Sequence, residues 1–229
     1  METLPFPTHP LTLATTVRYY RTEENICSTY ASCKAASRFF NYLSQHPAVC
    51  IKYSGSSLDL HVYSDSDWGS DKDTRLSTSG VLIMMAGGPV NWISKLQPIV
   101  TVSSMEAEYL AYFFAIQDVV WIRQLLEDID LEHARNTKVF IDNQSARQLA
   151  MNPVNHQRSE HIDIKYHWIR DKVAAQEIEL VYVPTTEQRA DFLTKTLPAD
   201  VFWRHAVAIM HAIYYRKPHM LTACINRII

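Results

Sequence analysis

Residues 58–65 read LDLHVYSD, and in them apolar Leu58, Leu60 and Val62 alternate with Asp59, His61 and Tyr63. A period of two belongs to a strand with unlike faces, so the stretch predicts a strand with Asp65 at its end. Two further β-like runs downstream, Gly80 to Met85 and Val90 to Ser94, flank the turn signal Gly87-Gly88-Pro89 and complete a three-strand meander. Beyond it the periodicity becomes helical from about Ser104 to Asp128. A strand Lys138 to Ile141, helices from Asn143 and from Ser159, a strand Ile178 to Val183 and a helix after Pro184 follow. Strands in a hairpin series and then alternating with helices predict an α/β fold, a mixed five-stranded sheet flanked by helices. Upstream, apolar spacing over Tyr30 to Gln45 predicts one amphipathic helix, and a terminal helix is predicted over about Asp200 to Tyr215.

Composition narrows the function classes. With 229 residues and 47% hydrophobic residues the chain can bury a sizeable core. Lys+Arg 22 against Asp+Glu 24 leaves a net charge of -2, so a nucleic-acid partner has to be held by local basic clusters. The only Gly-Gly pair is Gly87-Gly88, which leaves no glycine-rich phosphate cradle. Cys27, Cys33, Cys50 and Cys224 are scattered without a CxxC pair, which argues against a zinc module or a disulfide scaffold and for a reducing, intracellular, cytoplasmic or nuclear location. No basic and apolar leader and no membrane-length apolar run is seen, so an unsecreted protein without a membrane partner is expected.

Four acids stand out. On the long helix, at about 100° per residue, Glu106 joins Gln117, Gln124 and Asp128 on a polar stripe, whereas Glu108 aligns with Tyr112, Ala115, Val119, Ile122 and Leu126. An acid on an apolar stripe needs a cation or hydrogen bonds; it is either paired with a buried basic or tyrosine side chain or ligates a metal. Asp142 closes the strand Val139-Phe140-Ile141, where functional groups of α/β sheets gather; a helix N-cap is the alternative. Asp65 is otherwise a turn residue, with Asp67 on the same strand face as a decoy. Asp191 lies one to two turns into the last helix, whose start Thr185 and Gln188 signal as a capping box. Trp121, Trp168 and Phe113-Phe114 have the helical spacing of core residues, as do Ile162, Tyr166, Ile169 and Val173.

YSDSDW at 63–68, SSMEAEY at 103–109, DNQSA at 142–146 and ADFLTK at 190–195 resemble, in order, the ribonuclease H domain of copia-type LTR retrotransposon Pol polyproteins. The resemblance runs from about Tyr53 to Pro198 and implies a ribonuclease H-like fold. It implies hydrolysis of the RNA strand of RNA-DNA hybrids by a two-metal centre with catalytic and metal-binding residues Asp65, Glu108, Asp142 and Asp191. Asp65 would bridge two Mg²⁺ ions (Mn²⁺ being the other candidate), Glu108 and Asp142 serve one side, and Asp191 the other. Many cellular members of the superfamily carry a histidine in the loop between the last strand and the last helix; here Val183-Pro184-Thr185-Thr186-Glu187 has none. Residues 1–54 are expected to be a helical remnant of the reverse transcriptase connection region, 55–198 the ribonuclease H-like domain, and 199–229 a terminal helix with a divergent tail. A reverse transcriptase encoded elsewhere is an implied partner.

Reading RNA in a hybrid requires contact with 2′-hydroxyls across the minor groove. Ser103, Ser104, Asn143, Gln144 and Ser145 are the candidates for it, with ordinary capping as the alternative. Lys95, Arg158, His161 and Lys165 are candidates for holding phosphates. A catalytically inactive or domesticated remnant that binds nucleic acid or protein is the second functional reading.

Overall fold

The computed structural model describes residues 51–151, apart from 54 and 56, and 160–210, together with 34, 36, 37, 40, 41 and 44. The last six are helical; the rest of the helix expected over Tyr30 to Gln45 lies outside the described residues, as does Arg158. The chain divides into two compact units, and Lys52–Lys195 forms the one that carries the sheet.

Five strands, β1 (His61–Asp67), β2 (Thr78–Met85), β3 (Gly88–Leu96), β4 (Thr137–Ile141) and β5 (Ile178–Tyr182), form one sheet in the order β3-β2-β1-β4-β5. β1 pairs antiparallel with β2, and β2 with β3, whereas β1, β4 and β5 run parallel. Helices α1 (Ser104–Asp128), α2 (Gln144–Met151), α3 (Glu160–Ala174) and the short α4 (Asp191–Thr194) complete this unit. It is the mixed five-stranded α/β architecture that the sequence predicts. Helix α5 (Ala199–Met210) belongs to the other unit, and the remainder of the terminal helix expected to Tyr215 lies outside the described residues.

The meander turns one residue earlier than its glycines suggest. Ala86 and Gly87, both with positive φ, make the two-residue connection, and Gly88 and Pro89 already belong to β3. Two consecutive positive φ values match the twist of a tight hairpin. A side chain on Gly88 would meet the Tyr53 ring at 2.8 Å, and the Tyr53 hydroxyl donates to Pro89 O at 2.7 Å, so the glycine is required by close approach. Pro89 costs the sheet no ladder bond where β3 is an edge strand.

The core lies between the sheet and α1, where Val62, Val81, Ile83, Tyr112, Ala115, Ile116, Val119, Val139 and Ile141 are fully buried. Ser103 caps α1 by accepting from Glu106 N, and Glu106 Oε2 accepts in turn from Val102 N. At the other end Asp130 takes a left-handed conformation while Leu131 N reaches back to Leu126 O. Tyr109 stacks on Tyr166 of α3 with ring centroids 3.7 Å apart, and Ile169 is buried beside them. Phe113, Phe114, Trp168 and Val173 pack against this core as half-buried residues. Trp121 does not: it is 60% exposed, because the stripe that α1 buries passes through Val119 and Ile122 and leaves it on the outer face.

Candidate carboxylate centre

β1 is buried on its α1 face, and on the other face it is buried at Asp65 alone, which creates the site. Residues 62, 64 and 66 face α1, while Asp65, on the opposite face by strand alternation, is only 1% exposed. What covers it is α4, whose Thr194 hydroxyl donates to Asp65 Oδ2. The approach depends on Gly80, the residue paired with Asp65 across β1 and β2. A Cβ there would lie 2.6 Å from Thr194 Cγ2 and 3.0 Å from Ala190 O. Asp65 thus sits within its strand, which runs to Asp67, and not at its end.

The parallel pairing of β1 and β4 stops at Tyr63 and Phe140. Continued by two residues, that register sets Asp65 opposite Asp142. Where the ladder stops, the wholly buried amide of Gln188 enters and donates to Ser64 O at 2.9 Å and to Phe140 O at 3.3 Å. The strands are splayed and their free carbonyls satisfied by one side chain. Asp142 itself accepts from the Thr185 hydroxyl at 2.9 Å, and it is Asn143, not Asp142, that caps α2 by accepting from Ala146 N. These two partners also explain why the expected capping box at Thr185 and Gln188 does not form. Both side chains have tertiary partners, and Thr185–Glu187 is a short 3-10 turn without a side-chain cap. Asp191 is consequently the first residue of α4 instead of lying one to two turns into a helix.

Carboxylate oxygens of Asp65, Asp142 and Asp191 lie within 4.8 Å of one another. Glu108 is not within that triad. It comes from α1 on the other face of β1, its Oε1 accepting from Ser66 N at 3.2 Å. Its Oε2 is buried and makes no hydrogen bond of normal geometry, although the Tyr112 hydroxyl lies beside it. Burial first, then repulsion from Asp65 and Asp142, holds Glu108 well above the usual carboxylate range. Asp65 is pushed up to about 7, first by burial, against the pull of Lys195 and Thr194 and with the repulsion of Asp191 and Asp142. Lys195, unforeseen in the sequence reading, places Nζ 2.9 Å from Asp191 Oδ1 and 3.3 Å from Asp65 Oδ2. Its position four residues after Asp191 was the available signal, since i and i+4 share a helix face. Asp67 is half-buried beside the triad and feels both Lys195 and Asp191.

Of the expected substrate contacts, Ser103 is the cap of α1 and Asn143 that of α2, while Gln144 and Ser145 are exposed and Ser104 opens α1. Lys95 lies over the Phe114 ring at 6.0 Å and Lys165 over Phe113 at 5.4 Å. The side chain of His161 lies outside the described residues.

The charges have a consequence for stability. Asp65 and Glu108, faced by Asp142, Asp191, Lys195 and the Thr194 and Tyr112 hydroxyls, bind a proton more tightly folded than unfolded. The stability that Asp65 contributes is therefore full below about pH 4, the unfolded carboxylate value, and is lost as pH rises through about 7, and Glu108, whose carboxyl is raised too, acts in the same direction. Without divalent ions the protein is expected to melt at a lower temperature at pH 7.5 than at pH 5. Glu108→Gln, which keeps an acceptor for Ser66 N, is expected to shrink that difference and raise the melting temperature at pH 7.5 by about 3 °C or more. A calorimetric scan of both proteins in EDTA checks this, and an unchanged pH dependence in the variant would count against it.

No protein-family model matches the chain. It is 36% identical over 169 residues to the retrovirus-related Pol polyprotein from transposon TNT 1-94 of Nicotiana tabacum, covering 74% of this chain and 13% of that protein. To the corresponding polyprotein from transposon RE1 of Arabidopsis thaliana it is 38% identical over 178 residues, 77% of this chain and 12% of that one. The chain thus spans about an eighth of the length of these relatives. Among solved structures it is similar to LC11-RNase H1 isolated from compost, at 22% identity and a TM-score of 0.44 over 60% of this chain and 93% of that chain. It is also similar to a foamy viral protease-reverse transcriptase in complex with dsDNA, at 14% identity and a TM-score of 0.44 over 77% of this chain and 33% of that one.

Proposed function

We propose, from the chain's homology to one segment of the retrovirus-related Pol polyproteins of plant transposons, that it is a ribonuclease H of copia type cutting the RNA strand of RNA-DNA hybrids. The observation that carries the reading is the convergence of Asp65, Asp142 and Asp191 from β1, the end of β4 and α4, with Glu108 approaching from α1. Residues 55–198 would be the ribonuclease H domain, with a remnant of the polymerase connection region before it.

The donor set fits hard divalent cations. Every candidate ligand is a carboxylate oxygen, which suits Mg²⁺ or Mn²⁺ and not zinc. Among the described residues these acids meet one ammonium, and Glu108 keeps a buried oxygen without a hydrogen bond of normal geometry. As the resemblance implies, Asp65 would serve both ions, Glu108 and Asp142 would hold one of them and Asp191 the other. Two bound ions supply a water acidic enough to attack phosphorus at neutral pH and neutralise the phosphoryl oxygens. The protein's own part is to hold these acids at fixed separation. Gln188 sets the gap between β1 and β4, Thr185 orients Asp142, and Thr194 orients Asp65. No histidine stands between β5 and α4, so proton transfer or product release would rely on water or another residue. Gln144, Ser145 and Ser104 are the side chains open to 2′-hydroxyls, and Lys95, Lys165, Arg158 and His161 the ones for phosphates.

The test is incubation of the chain with an end-labelled RNA-DNA hybrid and Mg²⁺, beside duplex DNA and duplex RNA of the same sequence. Cleavage confined to the RNA strand of the hybrid is expected. A folded protein that binds the hybrid without cutting it would replace this reading with that of a domesticated binding module. Binding is expected to weaken by about tenfold or more between 50 and 200 mM salt, as phosphate contacts require; a filter-binding titration reads it, and salt-independent binding would contradict it.

A further inference from the structure

The carboxylate centre contains its own cation. Lys195 Nζ lies 2.9 Å from Asp191 Oδ1 and 3.3 Å from each oxygen of Asp65, so it is shared by two of the three converging acids. That is the place a cation bridging Asp65 and Asp191 would take. Lys195 leaves α4 as its C-terminal flanking residue, in extended conformation, and its side chain remains one-third exposed. The stem has a path to solvent that the deeply buried Asp65 lacks. An ammonium and a divalent ion at the same oxygens repel each other strongly where water is scarce. We propose that Lys195 is the resident counter-ion of the metal-free centre: it holds Asp65 and Asp191 together and gives up Asp65 when a divalent ion binds, thereby setting the ion concentration at which the centre fills. This rests on the reading of the triad as an ion-binding site. Lys195 is here a positioning residue, acting through Asp65 and Asp191.

The experiment compares the wild-type chain with Lys195→Gln and Lys195→Arg. Mn²⁺ binding is followed by the paramagnetic resonance of the free ion, and melting temperature is recorded in EDTA and in Mn²⁺. The Gln variant is expected to bind Mn²⁺ about tenfold or more tightly than wild type. It should melt lower than wild type in EDTA, and Mn²⁺ should raise its melting temperature by more than it raises that of wild type. The Arg variant, which keeps the charge, should resemble wild type in all three measurements. A Gln variant folded only with Mn²⁺ is the same result in extreme form. Equal or weaker Mn²⁺ binding by the Gln variant, or failure to fold with and without Mn²⁺, overturns the counter-ion role while leaving the metal site standing. Absence of Mn²⁺ binding by both wild type and the Gln variant overturns the ion-binding reading itself.

Discussion

Asp142→Asn is expected to lower Mg²⁺-dependent cleavage of the hybrid by about 100-fold or more while leaving the fold intact. Loss of a group that merely orients a metal ligand commonly costs 10–100-fold, and Asp142 is in the reading above a ligand itself. Its Oδ2 accepts from the Thr185 hydroxyl, a bond that an amide oxygen also accepts, so the local structure has no reason to rearrange. The substitution also removes a charge that raises the proton affinity of both Asp65 and Glu108. Melting temperature in EDTA should accordingly hold or rise slightly. Single-turnover cleavage and a thermal scan on the same preparation check both halves. Turnover like that of the wild type would remove Asp142 from the metal site.

Gly80→Ala should damage stability and activity together. The new Cβ would stand 2.6 Å from Thr194 Cγ2, 3.0 Å from Ala190 O and 3.1 Å from Leu193 Cβ. A backbone carbonyl cannot swing aside as a long side chain can, so α4 has to move away from β2. Overpacking of this kind costs about 1–3 kcal/mol. The displaced helix carries Asp191, Thr194 and the start of Lys195, so Asp65 would lose its hydroxyl and ammonium partners and Asp191 its place in the triad. Cleavage should fall about tenfold or more, since misplacement of this order is costly in catalysis. Adding Thr194→Ser removes the methyl nearest the clash and should recover part of the stability, a coupling a double-mutant cycle measures. A Gly80→Ala protein as stable and active as wild type would show that α4 does not pack against β2 as described.

Much of the frame was legible because it follows local periodicity. The alternation at Leu58 to Val62, the long helix from Ser104 and the placement of Glu108 on its buried stripe all follow from spacing alone, and the structure buries Glu108 as that wheel requires. What escaped the sequence was settled by tertiary partners. Thr185 and Gln188 have the spacing of a cap, but one binds Asp142 and the other fills the gap between β1 and β4, across 43 and 124 residues of sequence. The strand reading set Asp65 at the end of β1; its near-complete burial comes from α4 and from the space Gly80 leaves for it. Trp121 keeps helical spacing yet faces outward, because periodicity defines a stripe more loosely than packing does. Lys195 was within reach of an i to i+4 argument from Asp191, but its second partner, Asp65, lies 130 residues away.

Asp65, Asp142 and Asp191 are proposed above to bind divalent cations, and the anomalous difference density of crystals grown with Mn²⁺ reads this out. Density is expected within ligand distance of the carboxylate oxygens, between Asp65 and Asp142 and between Asp65 and Asp191, with Lys195 Nζ moved off Asp65. Saturating Mn²⁺ with no peak among these carboxylates, and Lys195 still bound to Asp65 and Asp191, would contradict it.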